Sequence, residues 1–247
     1  PALREALQVL EGVVTHGTSF DPRVAARGFT LACTDADQLS LVPHVARTFA
    51  EQLPRAKLHV VSVDQLEALG EPERAEIDAV ITPAQPAGAG LHAALLYEDD
   101  AVLVLRRGHP SARRRLTREQ FNALRHIDIR VSLGGRGIGN RMAEAYFQEH
   151  GLVRDIAVTV PGFSAALMLA ASTDFATGVP RRIATAMAHV LPITLVELPI
   201  PPFRFPMQLQ WYARTHADAG SRYFRQLILE AARETSPRRA PRPSPER

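Results

Sequence analysis

A chain of 247 residues has room for one large domain or two lobes of about 100 residues each, and its 46% hydrophobic content suits a protein that buries a real core. No apolar stretch approaches the ~20 residues that span a bilayer, and the N-terminus lacks the basic segment, apolar core and small-residue cleavage site of an export signal. The formal charge of +3 has one location: residues 233–247 carry Arg233, Arg238, Arg239, Arg242 and Arg247 against Glu234 and Glu246, a net of +3, so the rest sums to zero and a nucleic-acid-binding surface is not implied.

Residues 3–14 place Leu3, Ala6, Leu7, Leu10 and Val14 at helical spacing, and Gly17 to Gly28, with Pro22, reads as a linker. The run 29–34 is β-rich and ends in Thr34-Asp35-Ala36-Asp37, a helix-capping cluster. Cys33, the lone cysteine, lies in that run and is expected to be a buried, inert thiol; it excludes an intrachain disulfide. Leu39, Leu41, Val42, Val45, Phe49 and Leu53 then form an apolar helical face that stops at Pro54. A strand over 57–63 leads to Asp64, a helix start, and a third strand over 78–82 closes at Pro83. Residues 91–110 are β-rich with an acidic interruption at Glu98-Asp99-Asp100.

The order then repeats: strand 126–132, a glycine turn, helix 138–149, strand 155–160, helix 163–172, short strand 174–179, helix 180–189 and strand 193–200. A strand over 206–213 and a helix over 218–232, with Tyr223, Phe224, Leu227, Ile228 and Ala231 on one face, complete the pattern. Two rounds of strand–helix alternation argue for parallel sheets covered by helices, in two α/β lobes. Residues 233–247 are too rich in Pro, Arg and Ser to pack a core and are expected to be a disordered tail.

In open parallel sheets, ligands sit beyond the carboxyl ends of the strands, where helix N-termini offer free N–H groups. Those ends carry Thr34, Asp35, Asp64, Thr82, Ser132, Gly134, Phe163, Thr177 and Gly178. Each could equally be a helix cap; together they suit hydrogen bonding to a ligand held between lobes. The segment 134–140, Gly-Gly-Arg-Gly-Ile-Gly-Asn, misses a dinucleotide fingerprint, because Asn140 stands at the third glycine and no acidic residue ends the next strand. It reads as a flexible turn, or as a glycine nest that holds an anion with help from Arg136. The nine histidines show no paired metal spacing, and Ser164 is not in a G-x-S-x-G elbow. Neither catalysis, a metal nor a cofactor is expected.

The order of segments resembles the LysR-type transcriptional regulators, in the branch of nodulation and aromatic-catabolism activators. The resemblance runs from about residue 20 to 232. It rests on Phe20-Asp21-Pro22, Arg27-Gly28-Phe29, Asp35 and Leu41-Val42-Pro43; on Glu98-Asp99-Asp100, Val102-Leu103-Val104 and Gly108-His109-Pro110; on Gly151-Leu152-Val153-Arg154, Val158 to Phe163 and Thr177 to Ala184; and on Trp211 to Arg214, Asp218 and Tyr223-Phe224-Arg225. It implies a type II periplasmic-binding-protein fold in a cytoplasmic protein, an effector between the lobes, and tetramers assembled from dimers. Phe163, Thr177 and Gly178 match the family's pocket positions by motif; Arg136 does not. The family's winged helix-turn-helix is not in the sequence, residues 1–16 look like the end of its linker helix, and DNA contact is expected only through that missing head.

The expected organisation is lobe I over 28–99 and 206–232, and lobe II over 100–205 with both crossovers. The expected function is effector sensing, for a small molecule aromatic or carboxylate in character, in a homodimer or tetramer with contacts from apolar residues of helices 38–53 and 218–232. A free-standing solute receptor of a transporter is the alternative. An enzyme on the same scaffold would need a catalytic signature, which the sequence does not show.

Overall fold

The structure, a computed structural model, describes residues 20–63, 76–86, 88–112, 115–131 and 137–235. The helix expected over 3–14, the helix start at Asp64, Ser132, Gly134 and Arg136 all lie outside the described residues.

Strand β1 (Gly28–Cys33) lies parallel to β2 (Lys57–Ser62) and to β3 (Ala79–Pro83). Between β1 and β2 the expected helical face is two helices, α1 (Asp35–Ser40) and α2 (Val42–Gln52). The break falls at Leu41 because Pro43 stands in the first turn of α2, where its missing N–H costs nothing. Strand β4 (Leu91–Arg106) runs without interruption through the acidic triplet, and the irregularity falls between Leu95 and Tyr97, where the register shifts.

The remaining strands are β5 (Arg125–Ile129), β6 (Asp155–Val160), β7 (Thr177–Pro180), β8 (Ile193–Val196) and β9 (Arg204–Tyr212). β8 ends earlier than the sequence suggests, before Pro199, which has no N–H for a ladder. The expected parallel pairing is found for β1 with β2 and β3, and for β5 with β6. The long strand β4 is antiparallel throughout: Leu91–Asp100 pairs with β9, and Ala101–Arg106 with β7 and β8. β9 also closes against β3, antiparallel.

The other helices are α3 (Arg118–Asn122), α4 (Ile138–Glu149), α5 (Phe163–Ser172), α6 (Arg181–Ala188) and α7 (Ala219–Glu234). The sequence reading missed α3, although Thr117 and Gln120 form a reciprocal capping box there. α7 takes in Arg233 and Glu234, which the composition assigned to the tail.

A first core gathers Phe29, Phe49, Phe224, Leu31, Ile81 and Ile228 among β1, β3, α2 and α7. Alternate residues of β4 then feed two further cores: Val102 and Val104 meet Ile127, Leu167 and Ile183, while Leu103 and Leu105 meet Phe121, Phe147 and Val196. The apolar residues suggested for subunit contacts are largely used up internally. Val45, Phe49 and Leu53, with Phe224, Leu227, Ile228 and Ala231, are buried in the first core, and Leu39 remains 38% exposed. Cys33 is fully buried there, and burial pushes its thiol pKa up.

Candidate functional site

Where β4 and β9 pass between the cores, a cavity of about 700 Å³ opens. Its walls come from both sides: the start of α1 and the end of β3 on one, and β5, α4, the N-termini of α5 and α6, and Phe203 and Phe205 on the other. Most of this lining is apolar, and its size falls within the roughly 300–1,000 Å³ of small-molecule pockets.

Four residues named from the sequence line the cavity: Thr34, Thr82, Phe163 and Gly178. Two described ones do not. The Thr177 side chain is fully buried, and its hydroxyl donates to the Ile127 carbonyl at 3.4 Å, tying β7 to β5. Asp35 faces α5 instead: its carboxylate accepts from Phe163 N at 3.1 Å, and from Ser164 N and Oγ, each at 2.8 Å. Gly162, the N-cap of α5, has no side chain to do this, so α1 caps a helix across the junction.

The polar wall consists mainly of groups the sequence reading passed over. Asp37, read there as a helix cap, is 2% exposed; it accepts a short hydrogen bond from the Tyr97 hydroxyl and another from Thr34 Oγ1 at 3.1 Å. Burial raises the Asp37 pKa despite those two donors, and burial together with the Asp37 charge raises that of Tyr97. Arg182 stacks on the Tyr97 ring, its guanidinium carbon 4.1 Å from the centroid. Its Nη1 donates to Thr235 Oγ1 at 2.7 Å, so the end of α7 reaches α6. Asp99, part of the supposed interruption, accepts from Arg182 N at 3.3 Å and Asp100 N at 2.9 Å, capping α6. Burial lifts its carboxyl to about 6.

On the opposite wall the 4%-exposed Asp128 faces Arg154 Nη2 at 3.2 Å, and the same nitrogen holds Glu144. Asn140, where a dinucleotide loop would have glycine, donates through Nδ2 to the Ile129 carbonyl at 2.9 Å and lines the cavity beside the α4 N-terminus. The signal missed in the sequence was spacing over long range: Asp37 meets Tyr97 across 60 residues, and Arg182 meets Thr235 across 53. Among the described residues no group of three or more His, Cys, Asp or Glu could hold a metal, and no helix is long and apolar enough to cross a membrane.

A family profile described as the LysR substrate binding domain matches residues 23–233. The transcriptional activator NahR of Pseudomonas putida is 27% identical over 225 residues, covering 91% of this chain and 74% of that protein. Nodulation protein D 2 of Rhizobium tropici is 30% identical, covering 96% and 74%. Among solved structures, a probable transcriptional regulator from Pseudomonas aeruginosa superposes with a TM-score of 0.71 at 26% identity, over 92% of this chain and 75% of that one. The regulatory domain of MexT, a transcriptional activator in Pseudomonas aeruginosa, superposes at 0.69 with 19% identity, over 84% and 98%, and shares the fold. That fold is the α/β, type II periplasmic-binding-protein-like architecture of two Rossmann-like lobes joined by two crossing strands.

Proposed function

The chain belongs to the LysR substrate-binding-domain family, the effector-sensing part of regulators rather than enzymes, and we propose that it senses its effector in the cavity where β4 and β9 cross. LysR-type regulators bind small-molecule effectors and act on DNA as oligomers. The observation that carries the reading is the placement of the cavity: one void is walled by elements of both lobes, so anything filling it touches both. An effector held there would favour one lobe arrangement only to the extent that it binds that arrangement better. Thr34, Thr82, Phe163 and Gly178 would contact it directly. Asp35 and Thr177 would act through the fold, by capping α5 and by tying β7 to β5.

The reading extends to a cytoplasmic homodimer or tetramer, with lobe I over 28–99 and 206–232 and lobe II over 100–205. Sedimentation should give at least a dimer, and a monomer at tens of micromolar would contradict that part. For the cavity, native mass spectrometry of protein purified from its own cells should show a bound small molecule. Gly178→Leu should abolish it: an added Cβ lies 3.9 Å from Phe147 Cζ, so the longer side chain has room to enter the cavity without breaking the core. Undiminished binding by that variant would place the effector elsewhere.

A further inference from the structure

Helix α1 follows β1 in the first lobe, yet it is built into both lobes. Ala36, 8% exposed, packs with Val102, Leu167 and Ile183 in a core of the second lobe. Leu41, just past the end of α1, is fully buried with Phe29 and Phe224 in the core of the first. A helix of six residues thus spans the step from one core to the other.

The polar contacts follow the same course. Asp35 accepts from Phe163 N, Ser164 N and Ser164 Oγ at the start of α5. Asp37, 2% exposed, accepts from the hydroxyl of Tyr97, whose ring belongs to the first core. Arg182 of α6 lies on that ring with its guanidinium carbon 4.1 Å from the centroid, and its Nη1 donates to Thr235 Oγ1 at 2.7 Å. α1, Tyr97 and the end of α7, all from the first lobe, therefore hold α5 and α6 along one side of the cavity. Elsewhere on its wall the end of β3 meets the N-terminus of α4. There a Cβ on Gly139 would stand 3.8 Å from Pro83 Cγ, an ordinary van der Waals contact.

Parting the lobes beside α1 would draw Ala36 out of a packed core and strip the α5 N-terminus of its acceptor. Parting them at Gly139 separates a proline ring from an exposed residue that has no side chain. Packed cores deform little, and a domain hinge is taken up by a few residues at element ends. We infer that α1 is a hinge pin: the lobes turn about its junction with α5 and α6, and the cavity opens along the seam between Pro83 and Gly139. The crossing strands β4 and β9 then flex beside this axis rather than set it alone. α6 and the end of α7 move as one body, while β3 and α4 carry the displacement. The inference goes beyond the sensing role, because it concerns the chain with its cavity empty as much as filled.

The test measures distances between nitroxide labels by electron paramagnetic resonance in the full chain, diluted with unlabelled protein so that only pairs within one chain contribute. One pair, Leu39→Cys with Met168→Cys, sits on exposed positions of α1 and α5 beside the pin. The other, Gln85→Cys with Ala145→Cys, sits on exposed positions across the seam. Cys33 is fully buried and its thiolate is suppressed, so it stays unlabelled. The seam pair should give a distribution broader than the pinned pair by about 2 Å or more, the scale of a domain rearrangement. Asp35→Ala, which removes the three hydrogen bonds to the start of α5, should broaden the pinned pair toward the seam pair. A pinned pair as broad as the seam pair in the unaltered background would overturn the pin, and two narrow distributions would overturn the motion itself. A pinned pair left narrow by Asp35→Ala would overturn the role given to that carboxylate. None of these outcomes touches the cavity assignment, which the bound molecule and Gly178→Leu decide separately.

Discussion

Two buried aspartates, one in each lobe, separate what holds this molecule together from what borders its cavity. Asp78 is 5% exposed and fully engaged: it accepts from Thr30 N at 2.9 Å, from Ser221 Oγ at 2.7 Å and from Arg27 Nη2 at 3.4 Å, joining β1 to the start of α7. Asp128 is 4% exposed; its Oδ2 accepts from Arg130 Nε at 3.1 Å, and its Oδ1 stands 3.2 Å from Arg154 Nη2 in an ion pair without hydrogen-bond geometry. Burial is equal and bonding is not. The contrast extends to the cores around them. The first is built on Phe29, Phe49 and Phe224 in mutual ring contact at 5.0–6.0 Å, whereas the other lobe splits its apolar residues between two faces of one sheet. Asp78 therefore joins two elements through three hydrogen bonds, whereas Asp128 is held among guanidiniums beside the cavity wall.

The sharpest way to break the comparison is to hollow the aromatic core. Phe224→Ala removes a fully buried ring with two aromatic partners and should cost about 3–5 kcal/mol by denaturant unfolding. A cost below 1 kcal/mol would show that the first core collapses around the void and is less rigid than its packing implies.

Next in size is an opposition of two titrations outside that core. Burial lowers His126 from 6.5 to about 4, against the Phe121 carbonyl bond that favours its charged form. The unfolded chain thus takes up this proton first, and His126 contributes stability at neutral pH that is lost as pH falls from 6.5 toward 4. Asp99 runs the other way: raised from 3.8 to about 6 by burial, it is protonated first in the folded state, so its contribution grows as pH falls through that range. Each shift is worth on the order of 3 kcal/mol at 1.36 kcal/mol per unit, and they oppose across the shared window. The deficit of His126→Gln relative to wild type should shrink on acidification from pH 6.5 to 4, and that of Asp99→Asn should grow. Urea titrations at several pH values check both, and parallel curves would refute the assignment.

The aspartate contrast itself predicts smaller effects. Asp78→Asn puts an amide NH₂ among three donors and should cost about 2 kcal/mol. Asp128→Asn keeps one acceptor, leaves Arg154 its Glu144 partner, and should cost under about 1 kcal/mol. Equal costs in thermal unfolding would remove the distinction.

Much of the fold was legible because it is local. Helices 138–149 and 163–172 and strand 155–160 are found at the bounds their periodicity implies, since apolar spacing and flanking glycine or proline decide them. The long antiparallel pairing of β4 with β9 was not legible: it joins Leu91 to Tyr212, and nothing near either residue announces the other. The same holds at the site. Thr34 and Phe163 follow from the rule that ligands sit at strand ends. Asp37, Tyr97, Asp99 and Arg182 matter through contacts across large sequence separations, and read locally they were a helix cap, a strand residue, an interruption and part of a motif.

The most local effect concerns the bond that bridges the two regions. Asp35 follows β1 of the first lobe and caps α5 of the second, so its carboxylate is held in place by the relative position of the lobes. Removing an N-cap acceptor costs about 1 kcal/mol where the helix has no other cap, and Gly162 supplies none. Asp35→Ala should therefore lower global stability by roughly that amount. Its local signature should be clearer, because the freed Phe163 and Ser164 amides should exchange with solvent roughly tenfold faster by mass spectrometry while the centre of α5 near Leu167 keeps its protection. Gly162→Ala offers an independent route to the same end. Its Cβ would stand 2.8 Å from Asp35 Oδ2, so the carboxylate must move away although the backbone there, at φ −151°, accepts any residue. If both variants speed exchange at the α5 N-terminus, Asp35 is a latch between lobes. Unchanged exchange in Asp35→Ala would mean that the contact follows lobe position without helping to hold it.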